Sequence, residues 1–294
     1  MKRILFFLAS SIFCANAFCS STDSTVKTKI YHVRYLVDGV LVGGLGIADY
    51  SAIKRIKDKP ALTVDELNFL NSPSEVALIN RFDRWALHQK ASDRPSYNNL
   101  SDYSLDGMIL VPCLLAFNKT IRKDWADLLI MYVEGHAVTL FIYTYSFIGP
   151  TFQNRYRPRA YYTYFDVSTR ETGQNRNSFY SGHVASTAYA TFFMAKVYSD
   201  YHPDLGAAKY LLYTAATIPP VVMSYLRIKA LDHFPSDCAV GLMLGAFIGI
   251  IVPELHKYPC HKNLSFGMYT SPEGGMGLSM YWKLPDRQLF PLAN

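Results

Sequence analysis

Two histidines, one carboxylate and a group of arginines stand at the edges of long apolar segments between residues 155 and 237. They fall in three islands. Residues 154–159 hold Arg155, Arg157, Pro158 and Arg159; residues 179–183 end in Ser181, Gly182 and His183; the third island is Arg227 with His233 and Asp237. Charge beside an apolar segment is costly unless it has a task, and the task these residue types suit is handling phosphate. Arginine meets two phosphate oxygens at once and keeps its charge near a membrane, which makes Arg157 and Arg227 a natural clamp. Ser181 and Gly182 precede an apolar helix, so their N–H groups and the serine hydroxyl can face an anion at that helix start. His233 and Asp237 are four residues apart, and Pro235 between them suits a first helical turn, so the two side chains stack on one face. A carboxylate on one imidazole nitrogen leaves the other with a free lone pair, as a nucleophile needs. His183, arriving from another helix end, is placed to protonate a departing oxygen. No metal-ligand set is visible, and this chemistry calls for neither metal nor cofactor.

Helices at membrane edges must position these groups. Half of the 294 residues are hydrophobic and 15% are aromatic, a composition that leans toward membrane proteins. A mean hydropathy of +0.05 implies polar connections between concentrated apolar segments. The net charge of +6 comes without a basic tract interleaved with aromatics, which argues against nucleic acid. The five cysteines, Cys14, Cys19, Cys113, Cys238 and Cys260, show no paired spacing and read as free thiols. Residues 1–17 have a basic start, an apolar run and Ala15-Asn16-Ala17, the pattern of a signal peptide. Residues 35–53 form a softer apolar stretch that is expected not to cross a membrane completely. Residues 60–100 read as soluble helix, opened by a cap at Thr63 and carrying a face of Val76, Ile79, Phe82, Trp85 and Ala86. That face either lies on the membrane surface or packs on the bundle.

Strong apolar segments follow at 105–117, 128–148, 184–197, 211–226 and 239–252. Gly241, Gly245 and Gly249 place a smooth strip on the last of them, which permits close helix contact. Pro219-Pro220 should kink the one before it. Asp102 and Asp106 read as helix N-terminal residues, and Glu134 and His136 either pair within the bundle or mark function. Lys119, Arg122 and Lys123 crowd into a short loop that favours the cytoplasm, which places all three islands on the envelope side. After Pro253 the chain alternates around Pro272-Glu273-Gly274-Gly275, as a β-hairpin does. The domain reading is a signal peptide at 1–17, a partly membrane-associated helical region at 18–100, a helical bundle at 101–257 and a tail at 258–294.

Each island alone is weak evidence, since an arginine at a membrane edge is commonly a snorkelling anchor. The ordered set is more specific: Arg157-Pro158, Ser181-Gly182-His183, then Arg227, with His233 six and Asp237 ten residues after it. It resembles the type 2 phosphatidic acid phosphatase superfamily, whose soluble relatives include vanadium haloperoxidases and bacterial non-specific acid phosphatases. The resemblance covers residues 150–252. It implies an all-α, multi-span transmembrane helical bundle in which His233 is the phosphorylated nucleophile, Asp237 orients it and His183 is the general acid. Arg157, Ser181, Gly182 and Arg227 would hold the phosphate. The signal-bearing layout and the wording of residues 195–203 look like the membrane-associated branch found in Bacteroidetes. Three positions depart from the family pattern: Pro150 stands where a lysine is usual, Tyr180 where a proline opens the second island, and Leu226 where a serine precedes the arginine. Loss of the lysine leaves Arg155 or Arg159 to supply its charge, or else a low activity or an unusual substrate.

The function expected is a metal-independent lipid phosphatase in a bacterial inner membrane with its site facing the periplasm. Candidate substrates are lipid A phosphates, undecaprenyl pyrophosphate, phosphatidylglycerophosphate and phosphatidate. Two alternatives stand beside it. One is an acid phosphatase or vanadate-dependent haloperoxidase acting on soluble substrates; the other is a non-catalytic relative that binds a phospholipid headgroup.

Overall fold

The computed structural model describes residues 29–257 and, by backbone, the strands 264–270 and 276–282. The expected signal peptide at 1–17, with Cys14, Cys19 and Cys260, lies outside the described residues. The described residues divide into two units, Val33–His256 and a second that holds residues 29–32, Lys257 and the two strands. Within the second, Tyr31 bridges Lys257, and β1 (Leu264–Thr270) pairs antiparallel with β2 (Met276–Trp282) from Leu264↔Trp282 to Thr270↔Met276. This is the hairpin that the alternation implies.

The larger unit is all-helical. Its long helices are α1 (Tyr35–Lys57), α4 (Arg94–Leu110), α5 (Trp125–Tyr145), α7 (Gly182–Tyr201), α8 (Lys209–Lys229) and α9 (Pro235–Leu255). The short helices α2 (Val64–Leu70), α3 (Pro73–Leu78) and α6 (Val167–Arg170) lie between them. Among the described residues, five stretches are long and apolar enough to cross a membrane: Tyr35–Lys57, Ala91–Phe117, Ile121–Tyr145, Pro203–Lys229 and Pro235–Leu255. Leu36, Ile47, Leu211 and Phe247 point outward from them, as apolar side chains do where lipid replaces water.

α7 is the helix the others enclose, with most of its residues from Val184 to Ser199 buried. It packs most extensively on α9. A Cβ at Gly241, Gly245 or Gly249 would stand 2.6, 2.1 or 2.8 Å from the carbonyl oxygen of Ser181, Ala185 or Tyr189. Contacts that advance four residues at a time on both helices mean that α7 and α9 run parallel and start at the same end of the bundle. Backbone lies on backbone only because the strip has no side chains, and this brings the starts of both helices, with their histidines, together.

Three expectations need correction. The stretch 35–53, expected not to cross a membrane completely, belongs to a 23-residue helix, α1, that is long and apolar enough to do so. Tyr35 donates to Asp127 at 2.5 Å, Thr144 donates to Asp49 at 2.9 Å and Ser51 shares a hydrogen bond with Tyr145 at 2.9 Å, so α1 lies parallel to α5 along nearly its whole length. Both aspartates of α1 are buried with partners, Asp49 with Thr144 on α5 and Asp38 with the Arg34 N–H and His256. Residues 60–100 are not one helix. The Thr63–Glu66 capping box forms, but the chain then breaks at Asn71 and Ile79 and passes through a 3₁₀ turn at Asp83–His88. Asp102 and Asp106 are not helix N-terminal residues either, since α4 begins at Arg94. α8 continues through Pro219 and Pro220.

Candidate active site

The site is assembled where α7 and α9 begin and α8 ends. α8 closes in a Schellman turn: Leu231 N–H donates to the Ile228 carbonyl at 3.0 Å and Asp232 N–H to the Arg227 carbonyl at 3.2 Å. Leu231 holds φ 57, a left-handed conformation that costs a leucine about 1–2 kcal/mol. The turn folds the Asp232 carboxylate back onto Arg227, whose Nη2 donates to Oδ2 at 2.5 Å.

Asp232 is the centre of an arginine cluster. Arg159 Nη1 donates to its Oδ1 at 2.5 Å, and Arg157 Nη1 and Arg94 Nη2 stand 3.2 and 3.6 Å from the same oxygen. The carboxylate is 1% exposed. Burial alone would favour its neutral form, but Arg227, Arg157, Arg159 and Arg94 hold it well below the usual carboxylate range. One anion thus fixes four cations and leaves a surplus of positive charge. The Nε–H groups of Arg94, Arg157 and Arg227 and the Ser181 hydroxyl are buried without a hydrogen-bond partner. Buried donors of this kind are costly unless an acceptor meets them.

His233, at 2% exposure, sits beside this cluster. Its Nδ1 lies 2.6 Å from the Ser178 carbonyl. A carbonyl can only accept, so Nδ1 carries the proton and Nε2 keeps its lone pair. Burial pushes the imidazole's pKa below its ordinary value; the Asp237 hydrogen bond opposes this, while Arg157 and Arg227 add to it. Asp237 Oδ2 stands 3.8 Å from Nδ1, beyond a direct hydrogen bond. The same oxygen accepts from the Ser178 hydroxyl at 2.6 Å and from Phe234 N–H at 2.8 Å, while Oδ1 receives Arg155 Nη1. Asp237 therefore positions His233 through Ser178 and through its own helix start.

His183 opens α7, and its Nε2 is 2.9 Å from Asp102 Oδ1 on α4. Arg227 Nη1 reaches toward that oxygen at 3.5 Å and donates to the Ser101 hydroxyl at 2.9 Å. A cavity of about 250 Å³ joins these groups, lined by Arg157, Gly182, His183, Arg227 and His233 on one side and by Leu105, Leu140 and Tyr143 among the side chains of α4 and α5 on the other.

The chain thus brings together Arg157, Gly182, His183, Arg227 and His233 as their spacing implies. Ser181 is buried next to them, its N–H donating to the Asp237 carbonyl at 3.1 Å, so its hydroxyl is the group left for an anion. The two arginines offered in place of the lysine at Pro150 separate. Arg159 joins the Asp232 cluster. Arg155 turns away, donating to Asp83 at 2.7 Å, Ser236 at 2.9 Å and Asp237. Sequence reasoning missed Arg94, Asp232, Ser178, Asp83 and the contact of Asp102. Asp83 caps the start of α9, accepting from Ser236 N–H at 2.8 Å. The one available signal was Asp232, an acid directly before the second histidine.

A family description of the PAP2 superfamily matches residues 128–259. No curated protein matches the chain. A crystal structure of a transmembrane PAP2-type phosphatidylglycerolphosphate phosphatase from Bacillus subtilis is similar at 14% identity and a TM-score of 0.43, covering 75% of this chain and 98% of that one.

Proposed function

From the match of residues 128–259 to the PAP2 superfamily, we propose that this protein is a membrane phosphatase acting on a phosphorylated envelope lipid through a phosphohistidine. One observation carries the proposal: His183, His233, Arg157 and Arg227 share a single cavity whose other wall is apolar. The arginines and the Ser181 hydroxyl would bind the phosphoryl oxygens, and Arg94 and Arg159 offset the missing lysine at Pro150. His233 Nε2 attacks phosphorus, forming a P–N bond as the bond to the lipid oxygen breaks. His183 supplies the proton that this oxygen takes up. Water then attacks the phosphohistidine with His183 accepting its proton, and phosphate leaves. The carbonyl of Ser178 holds the Nδ1 proton throughout, and the arginine cluster stabilises charge on the equatorial oxygens. The apolar wall of Leu105, Leu140 and Tyr143 favours a lipid over a soluble phosphoester.

For orientation, the loop at 118–124 and the turn after α7 meet at the far end of the bundle, where Tyr201 donates to Asp124 at 2.6 Å. Its three basic residues favour the cytoplasm, which supports a cavity on the periplasmic side of a bacterial inner membrane. Because α1 is long enough to span and parallel to α5, this orientation puts residue 34 on the cytoplasmic side and argues against cleavage of residues 1–17 by a periplasmic peptidase. An intact amino terminus by mass spectrometry is the expected result; a terminus at residue 18 would reverse the orientation. The activity itself is tested by mixing detergent-purified protein with lipid A, undecaprenyl pyrophosphate, phosphatidylglycerophosphate and phosphatidate. Phosphate release from at least one lipid above a His233→Ala control is expected, and release from none contradicts the proposal.

A further inference from the structure

Away from the cavity, three helices bring together Asp38 on the first turn of α1, Glu134 on α5 and His256 just past the end of α9. α9 starts two residues after His233 and is 21 residues long; at a rise of 1.5 Å per residue, His256 lies about 30 Å from the cavity. One oxygen of each carboxylate and a ring nitrogen of His256 all lie within 4.8 Å of one another. His256 Nε2 is 3.2 Å from Glu134 Oε2 and 3.8 Å from Asp38 Oδ2.

Four observations set this cluster apart from an ordinary ion pair. His256 Nδ1 lies 2.9 Å from the Val252 carbonyl, so Nδ1 is the protonated nitrogen and Nε2 faces the carboxylates. Metal-bound histidines are held in this way, with the far nitrogen donating to a carbonyl or carboxylate. Glu134 is 93% buried, being 7% exposed, and its Oε2 accepts no hydrogen bond although Nε2 is near. The pair is at ion-pair distance without hydrogen-bond geometry, which leaves a lone pair of that buried oxygen unused. Among the described residues, no lysine or arginine side chain lies within ion-pair distance of Asp38 or Glu134. Two carboxylates buried in a bundle of membrane length need two positive charges, and a protonated imidazole supplies one. The separations fit as well. Ligands bonded at about 2.0–2.2 Å in a tetrahedron stand roughly 3.3–3.6 Å apart, close to the spacings from Nε2.

We propose that Asp38, Glu134 and His256 bind a divalent cation of the zinc or manganese class, which cross-links α1, α5 and α9 at the end of the bundle remote from catalysis. A fourth position is left for water. The cation plays no part in phosphoryl transfer, so the site stands or falls independently of the phosphatase reading.

The test uses the full chain in detergent, purified without chelator, assayed for bound metal, then stripped and titrated with Zn²⁺ or Mn²⁺ alone while thermal unfolding is followed. About one equivalent is expected, with a midpoint raised by about 5–10 °C at one hundred times Kd. Glu134→Gln and His256→Gln should each weaken binding tenfold or more. A wild-type protein that neither carries nor responds to metal, or binding that both variants retain unchanged, overturns the site and leaves a histidine–carboxylate ion triad. If neither variant folds, Co²⁺-loaded wild type decides: ligand-field absorption of a four-coordinate nitrogen–oxygen site is expected, and its absence overturns the assignment.

Discussion

Replacing Asp232 with asparagine keeps the shape of the side chain and removes only its charge. The carboxylate is 1% exposed and stands within 3.6 Å of guanidinium nitrogens from Arg94, Arg157, Arg159 and Arg227. Taking one partner from a buried ionic network costs about 3–5 kcal/mol, because the charges left behind have no counter-ion. For a unit of this size that corresponds to a melting midpoint roughly 6–20 °C lower. An anion that fits among the four guanidinium groups should return part of the loss. Orthovanadate or inorganic phosphate at one hundred times Kd adds about 2.7 kcal/mol to any protein that binds it only when folded. In the variant the same anion also replaces the missing charge, so it should bind more tightly there than in wild type. The assay is thermal unfolding in detergent with and without orthovanadate, for both proteins. A variant that melts with wild type, or that gains no more from vanadate than wild type does, would refute the idea that Asp232 is the internal counter-ion of the phosphate clamp.

Other outcomes follow from the same geometry. His233 has a pKa lowered by burial, so the acid limb of kcat/KM should fall below the ordinary histidine value of about 6.5; a limb at or above that value would mean a different base. By linkage, the neutral ring's contribution to stability is fully present above about pH 6.5 and is lost as pH falls toward the folded pKa, and His233→Gln should flatten that slope in unfolding curves. Gly245→Ala places a Cβ 2.1 Å from the Ala185 carbonyl, which should cost about 1–3 kcal/mol and, by parting the starts of α7 and α9, as much as ~100-fold in kcat. Gly43→Ala, where nothing lies within 4 Å, is the silent control in both assays. Arg94→Ala should raise KM with little change in melting, whereas Arg155→Ala, which frees buried Asp83 and Asp237, should lower the melting midpoint; steady-state kinetics beside calorimetry separate the two.

Most of the long helices were readable because a membrane-length apolar run has few alternatives, and the glycine strip at four-residue spacing marked α9 for a close helix contact without saying which helix it meets. The groups that meet in the cavity were readable as well, since Arg157, His183, Arg227 and His233 keep an ordered spacing along the chain. What escaped was whatever depends on contact between distant segments. Asp38 and Asp49 soften the first apolar stretch, yet each is met by a partner 95 or more residues away, Thr144 for Asp49 and His256 for Asp38. Asp83 lies in the stretch read as soluble helix, and nothing local says that it caps α9. Asp237 was assigned directly to His233 by a four-residue spacing, but its oxygens are taken by Ser178, Phe234 and Arg155, and a backbone carbonyl holds the imidazole instead. A carbonyl leaves no trace in side-chain identity. Arg94 lies outside every island, because α4 carries it in from a segment whose pattern shows only where the helix is apolar.

The nucleophile is the centre of the proposed chemistry, and trapping it is the most direct measurement. Protein reacting with a turned-over phospholipid is quenched in alkali, where a phosphohistidine survives, and digested for mass spectrometry, with a His183→Ala variant included to slow the proton transfers. One phosphoryl group on the peptide containing His233 is expected, absent from His233→Ala. A phosphoryl group on another residue, or steady turnover in the His233→Ala protein, would contradict the assignment.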